Sequence, residues 1–477
     1  MATDKTASVW TRMGDAPMKM GSLIVTDTHS RFTYEPDFLS TGLPGLGLMY
    51  APSYLGHNTL PWERVAYFDF PPQIQTLLPP ESEENFTRRL ILAYLEKQGL
   101  TGLTGFNANW AILMVAGHGG IGHVDIFEND QTAEDWYANK IKDEVFTINN
   151  QLSFSLKEYL SWMDSDADPL LEILGPTPTV GGAVPKLLLS IPDTGWNGHA
   201  SLPRRGDIPN MTDVIVKIEK DAYPGMVALE ALTLDIHKEA GFPIPRYWTT
   251  MINDMPAIAI ERYDRTPEGK PLFVETAYSL VASVNSDITD HASGTYENII
   301  EAIVNLPALG YDINLDDIRT QLLKRLLLSI ATGNGDLHLE NLAFIIRDNT
   351  VEFTPVFDPI PMRAYSRHDM LVPMPFGEYG EDIDLMGMGG EKQRHICLIR
   401  FCKSIGLSKR VLSEMIPEIL SLTDNYNERI DVLKALPDEF KQQLKRVCTH
   451  ERQMLDNLVA TTPQKVVADN NLVGLVS

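Results

Sequence analysis

Gly333-Asn334-Gly335-Asp336-Leu337-His338-Leu339-Glu340-Asn341, followed by Pro355-Val356-Phe357-Asp358, is the stretch on which the reading of this chain turns. It supplies an aspartate able to take a proton, an asparagine five residues on, and a second aspartate beyond a short strand-like pair. Phosphoryl transfer asks for that set, because the protein mainly positions groups and neutralises charge. Asp336 is the candidate base or orienter of the attacking hydroxyl. Asn341 and Asp358 are the candidate hard-oxygen ligands for Mg2+, and His338 belongs to the same loop. The plainer alternative is a polar turn after the apolar run Leu322–Ala331, with Asp358 a solvated loop residue. Both motifs at this spacing, bracketed by the strand-like segments Leu342–Ile346 and Val351–Pro355, weigh against it.

The chain has 477 residues, 44% hydrophobic and 22% charged, enough for two or three globular domains with real cores. The three cysteines, Cys397, Cys402 and Cys448, are too few for a disulfide framework or a zinc site, which suits a reducing cytoplasm. No apolar run approaches bilayer-spanning length and no signal core follows Met1, so the expectation is a cytoplasmic chain without a membrane partner. A formal charge of -24 argues against a nonspecific nucleic-acid surface, which needs clustered Lys and Arg.

Residues 1–150 read as a small α+β unit, with short strands at Ser22–Val25 and Arg31–Tyr34. A helix from about Glu84 to Lys97 would bury one face through Phe86, Leu90, Leu92 and Leu95. Residues 151–265 read as a strand-rich lobe. It opens on Thr179-Val180-Gly181-Gly182-Ala183-Val184-Pro185-Lys186, where paired glycines let backbone amides approach a phosphate, a weak signal alone. The strand Leu187–Ile191 follows. Lys217, inside the alternating strand Asp213–Ile218, must meet an anion if its ammonium is buried, or else snorkel at the strand end. The helix from about Gly225 to Ala240, closed by Gly241, offers Glu230 as its partner. A hairpin, Tyr247–Ile252 with Ala257–Arg262, exits through Glu261-Arg262-Tyr263-Asp264-Arg265, where a hinge between two lobes should lie and where backbone groups could bind adenine. Residues 266–477 are mostly helical in pattern. The fold class is thus α+β, a two-lobed protein-kinase-like fold with an extra N-terminal α+β subdomain.

These residues resemble the HipA-type serine/threonine kinase toxins of bacterial toxin-antitoxin pairs, and the resemblance spans nearly the whole chain. Met18-Lys19-Met20-Gly21-Ser22-Leu23, Phe32-Thr33-Tyr34-Glu35-Pro36, Leu77-Leu78-Pro79 with Arg88-Arg89, and Gly120-Ile121-Gly122 are similar to that family's N-terminal subdomain. Gly181, Gly182, Ala183 and Lys186 look like its phosphate-covering loop, Lys217 like its ATP lysine, and Glu261, Arg262 and Tyr263 like its hinge. Asp336, His338, Asn341 and Asp358 match its catalytic and metal-binding set.

The resemblance implies an ATP- and Mg2+-dependent kinase that phosphorylates a protein, in known members an aminoacyl-tRNA synthetase, and so halts translation. It also implies a helix-turn-helix antitoxin partner, with DNA reached only through that partner. Three departures stand out. Val184-Pro185 replaces the more usual Gln followed by Glu or Pro in the phosphate loop, removing a polar loop contact. Thr179 holds the place of the family's autophosphorylated serine. Glu340 stands where lysine is common, removing a positive charge beside the transferred phosphate. A small-molecule kinase of the aminoglycoside or choline type would use the same Asp336 loop. A kinase-like corepressor without transfer activity is a third reading, against which the retention of Lys217, Asp336, Asn341 and Asp358 speaks.

Overall fold

The computed structural model describes residues 4–82, 85–138, 146–147, 186–196, 199–201, 203, 210–252, 255–380 and 390–460. The first sheet is antiparallel in the order β4-β3-β2-β1-β5, with β1 Lys5–Thr11, β2 Met18–Val25, β3 His29–Tyr34, β4 Leu60–Glu63 and β5 Asp125–Phe127. In β3 the buried residues Ser30, Phe32 and Tyr34 recur with period two, so one face packs inward and the other meets solvent.

The helix expected near Glu84–Lys97 runs Phe86–Lys97 and is capped by Asn85, whose side chain accepts from the Arg88 amide. It buries two faces instead of one. Phe86 and Leu90 pack into the strand-rich lobe, whereas Ile91 and Leu95 join the N-terminal core and Leu92 is only partly covered. The helix therefore rivets one unit to the next.

After the two-residue strands β6 Phe146–Thr147 and β8 His199–Ala200, which pair with each other, the second large sheet has the order β10-β11-β9-β7. Its strands are β7 Lys186–Pro192, β9 Met211–Ile218, β10 Tyr247–Ile252 and β11 Met255–Glu261. The helix Met226–Glu239 crosses one face, entered by a left-handed Gly225 (φ 80°) and followed by a left-handed Gly241 (φ 86°). The pairing of β7 with β9 sets Lys186 directly opposite Lys217. Like charges so placed repel unless an anion bridges them, so the register itself calls for a carboxylate or phosphate at that point.

The helical lobe follows. Its long central helix Leu315–Thr332 contains the apolar run expected at Leu322–Ala331 and is surrounded by Tyr296–Ile303, Lys409–Leu422 and Asp438–Ala460. A small sheet, β12 Val274–Thr276, β14 Ala343–Arg347, β15 Thr350–Phe353 and β13 Asp312–Ile313, lies at the lobe boundary. The strand expected to reach Pro355 stops at Phe353, consistent with a proline having no N–H for the ladder. Among the described residues no helix is long and apolar enough to cross a membrane.

Candidate active site

The central helix ends on Gly333 in the left-handed region (φ 73°), and Gly335 repeats that conformation (φ 67°). A side chain at Gly335 would meet Arg363 Cγ at 2.7 Å and the Met370 carbonyl at 2.9 Å, so the chain can reverse there only without one. The reversal brings the Asp336 carboxylate to 3.8 Å from Nε2 of His338, which lines the cleft.

Side chains then fix the backbone on either side of Asp336. Asn334 Oδ1 accepts from the Asp336 amide at 2.8 Å, Asn341 Nδ2 donates to the Asp336 carbonyl at 2.7 Å, and the Tyr296 hydroxyl donates to the Leu337 carbonyl at 2.7 Å. The Asp336 side chain itself stays 48% exposed. Its carboxyl is pushed up to about 7 by desolvation and by Asp358, with Glu340 adding to the rise and Lys186 opposing it. His338 is pushed down to about 3 by burial and by His291, so it is a neutral imidazole, and its Nδ1 accepts from the Glu340 amide at 3.2 Å.

Lys217 is buried and paired, not snorkelled. Its ammonium pairs with Glu230 of the helix Met226–Glu239 and lies 2.8 Å from Asp358 Oδ1; Lys186 Nζ lies 3.0 Å from Asp358 Oδ2. One carboxylate thus answers the two opposed lysines. Burial would raise the Asp358 carboxyl, but the two ammoniums reverse that and hold it well below the usual range. The same carboxylates raise Lys217 against its desolvation. Asp358 sits at φ 53°, an uncommon conformation for a side-chain-bearing residue, and these ion pairs keep it there.

The donor set fits a magnesium ion. The Asn341 amide nitrogen is spent on the catalytic loop, which leaves its oxygen as the group able to face a metal, and Asp358 offers a partly exposed, ionised carboxylate in the same cavity. Two such oxygens, completed by phosphate oxygens and water, are the usual protein share of a Mg2+ shell.

Beside the lysines the cavity becomes apolar, lined by Ile215, Ile260 and Phe357, with Tyr263 stacked on Phe357 at 5.1 Å between ring centroids. Ile215 lies two residues before Lys217 and faces the same side of β9, as strand alternation requires. Glu261 and Tyr263 line this slot. The Arg262 side chain does not. The residue between two cavity-facing neighbours points the other way, and its guanidinium is spent on Asp264 and on the carbonyls of Gly119 and Gly120. Lys186, Lys217, Glu261, Tyr263, His338, Asn341 and Asp358 share one cavity. Thr179, Gly181, Gly182 and Ala183 lie outside the described residues. Sequence reasoning missed Ile215, Phe357, Gln73 and Glu275 among the lining residues. The first two were signalled by their spacing from Lys217 and Asp358; the last two had no local signal.

The HipA-like C-terminal domain family matches residues 179–425. The chain belongs to that family. A Haemophilus influenzae protein named "Putative kinase" is 25% identical over 292 residues, covering 57% of this chain and 78% of the relative. A Sinorhizobium fredii protein named "Putative kinase Y4dM" is 29% identical over 193 residues, 38% of this chain and 42% of the relative. Among solved structures, HipA of Shewanella oneidensis MR-1, crystallised with HipB and its operator DNA, superposes with a TM-score of 0.58. That likeness has 16% sequence identity and covers 95% of this chain and 99% of that one. The shared fold is the two-lobed, kinase-like α+β arrangement expected from the sequence.

Proposed function

We propose that this protein is an ATP- and Mg2+-dependent serine/threonine protein kinase acting as the toxin of a toxin-antitoxin pair. The observation that carries the kinase reading is that Lys217, Asn341 and Asp358 line one cavity, with Glu230 paired to Lys217 behind it and Asp336 3.8 Å from the cavity-lining His338. Lys217 and Lys186 offer positive charge to the phosphates, and Glu230 keeps Lys217 in place. The apolar slot takes the base against the hinge backbone. Asp336 orients or deprotonates the acceptor hydroxyl. A magnesium ion, held by Asn341 and Asp358, would supply charge neutralisation at the phosphates. The toxin role is supported by the fold shared with the Shewanella HipA, and a helix-turn-helix antitoxin is the proposed partner, with operator DNA reached through it. The proposed acceptor is a hydroxyl of a host protein such as an aminoacyl-tRNA synthetase, and the proposed setting is the cytoplasm. Purified protein incubated with labelled ATP and host lysate should label one dominant protein. Labelling of a small cationic alcohol or amine instead would replace the protein-kinase reading.

Metal dependence gives a first check. Wild-type protein should bind ATP much more tightly with magnesium than without, and Asp358→Asn should lose most of that gain, because the variant lacks the anionic ligand. Calorimetric titrations in both conditions measure it. Equal gains in the two proteins would remove Asp358 from the metal site.

The acid-base state of Asp336 gives a second. A base must be deprotonated to act, and this carboxyl is pushed up to about 7. Transfer should therefore fall as pH drops below about 7, with kcat/KM rising to a plateau above it, since that ratio reports the free enzyme. A profile flat from pH 5.5 to 8 would mean that Asp336 does not carry the proton.

A further inference from the structure

The cavity has a third wall, supplied by the N-terminal region. Gln73, Leu77 and Ile121 line it together with Glu275 and Ser279, which follow the hinge. The loop bearing Ile121 is held against the hinge because the Gly122 amide donates to Asp264 at 2.8 Å, while Arg265 donates to the carbonyls of Gly120 at 2.8 Å and Gly122 at 2.9 Å. Two buried polar groups on this wall are incompletely satisfied. Gln73, 6% exposed, spends its Nε2 on Glu275 Oε1 and Ser283 Oγ, both at 2.7 Å, and its Oε1 has no hydrogen-bond partner. Glu275, 4% exposed, accepts from the Leu48 amide at 2.7 Å, from Gln73 and from the Ser279 hydroxyl at 2.9 Å. Among the described residues no cation pairs with it.

A carboxylate has about four acceptor positions, and only three donors reach Glu275, whose carboxyl burial pushes up. An amide oxygen and a carboxylate buried without enough donors cost free energy that a hydroxyl-bearing ligand would recover. A nucleotide divides into three parts of different chemistry. Its phosphates match the lysine end and its flat base matches the Ile215–Ile260–Phe357 slot, which leaves the acceptor-rich wall for the sugar hydroxyls.

We propose that Gln73 and Glu275 read the ribose of ATP, so that the N-terminal region is a working part of the nucleotide site. The inference rests on the kinase reading above. It makes Gln73 a specificity-determining residue, although it lies far from the catalytic loop in sequence.

The test is calorimetric titration of ATP, 2′-deoxy-ATP and 3′-deoxy-ATP, with magnesium, into the full-length wild type, Gln73→Leu and Glu275→Gln. A hydrogen bond to a charged or buried acceptor is worth enough that the wild type should bind at least one deoxy nucleotide roughly tenfold more weakly than ATP. Gln73→Leu should lose affinity for ATP but not for that analogue, so the preference falls toward parity. If Gln73→Leu has a lowered melting temperature, Glu275→Gln, which keeps the shape and weakens the acceptor, answers in its place. Equal binding of all three nucleotides by the wild type, or an undiminished preference in the folded variants, would overturn the ribose assignment and leave the kinase reading standing. Failure of the wild type to bind ATP at all would overturn both.

Discussion

Asp336→Asn is expected to lower phosphate transfer by roughly two to four orders of magnitude, the usual cost of losing a general base, while the melting temperature stays at the wild-type value. The two halves of that expectation come from different atoms of one residue. The hydrogen bonds that hold the loop use the Asp336 backbone, through Asn334 and Asn341, so an amide side chain leaves them intact. The side chain is 48% exposed, and desolvation together with the charges of Asp358 and Glu340 raises its proton affinity. Removing its charge relieves that repulsion and breaks no buried pair. What disappears is the proton acceptor. In cells the same substitution should convert growth arrest into normal growth when the protein is expressed without a partner. Toxicity from misfolding would not depend on one carboxylate. A variant with the wild-type melting temperature that arrests growth equally well would sink the toxin-kinase account.

The site was legible where its chemistry is local. Asp336 and Asn341 lie five residues apart just past a helix end, and Asp358 follows the next strand pair, so short spacings alone group them. Lys217 and Glu230 were legible for a different reason: an ammonium in an apolar strand needs an anion, and the next helix offers one on its buried face. The role of Lys186 was only half visible. Its position after the glycines pointed to phosphate, but its register opposite Lys217, and hence their shared grip on Asp358, appears only once the strands pair. The Arg262 side chain turns away from the cleft, as alternation along the exit of β11 dictates. Gln73 and Glu275 carried no signal. Their contact joins residues separated by 202 positions, and a lone Gln and Glu in unremarkable surroundings give no period, cap or motif to read. The helix Phe86–Lys97 shows the same limit, since the single expected face of Phe86, Leu90, Leu92 and Leu95 left out Ile91, which a second core receives.

The largest effect on stability is expected at Asp264. Its carboxylate is buried and takes hydrogen bonds from Arg262 Nε at 3.0 Å, Arg262 Nη2 at 2.8 Å, Arg265 Nη1 at 2.7 Å and the Gly122 amide at 2.8 Å. The two guanidiniums in turn hold the carbonyls of Gly119, Gly120 and Gly122. One acid therefore offsets two buried cations and docks the N-terminal loop on the hinge. Desolvation would raise its carboxyl, but Arg262 and Arg265 win and hold it at about 2 against an ordinary 3.8. Asp264→Ala leaves both cations without their anion, and breaking a buried pair in this way typically costs about 3–5 kcal/mol. The pH dependence has a definite sign. A depressed acid stabilises the folded state fully above its unfolded value and loses that contribution as pH falls through the folded value. The gap in unfolding free energy between wild type and Asp264→Ala, measured by denaturant titration, should thus be constant above about pH 5 and narrow by about 2 kcal/mol by pH 2. A gap under about 1 kcal/mol at pH 7, or one that does not change between pH 4 and 2, would mean that the arginines are satisfied by the glycine carbonyls alone and that Asp264 does not anchor the hinge.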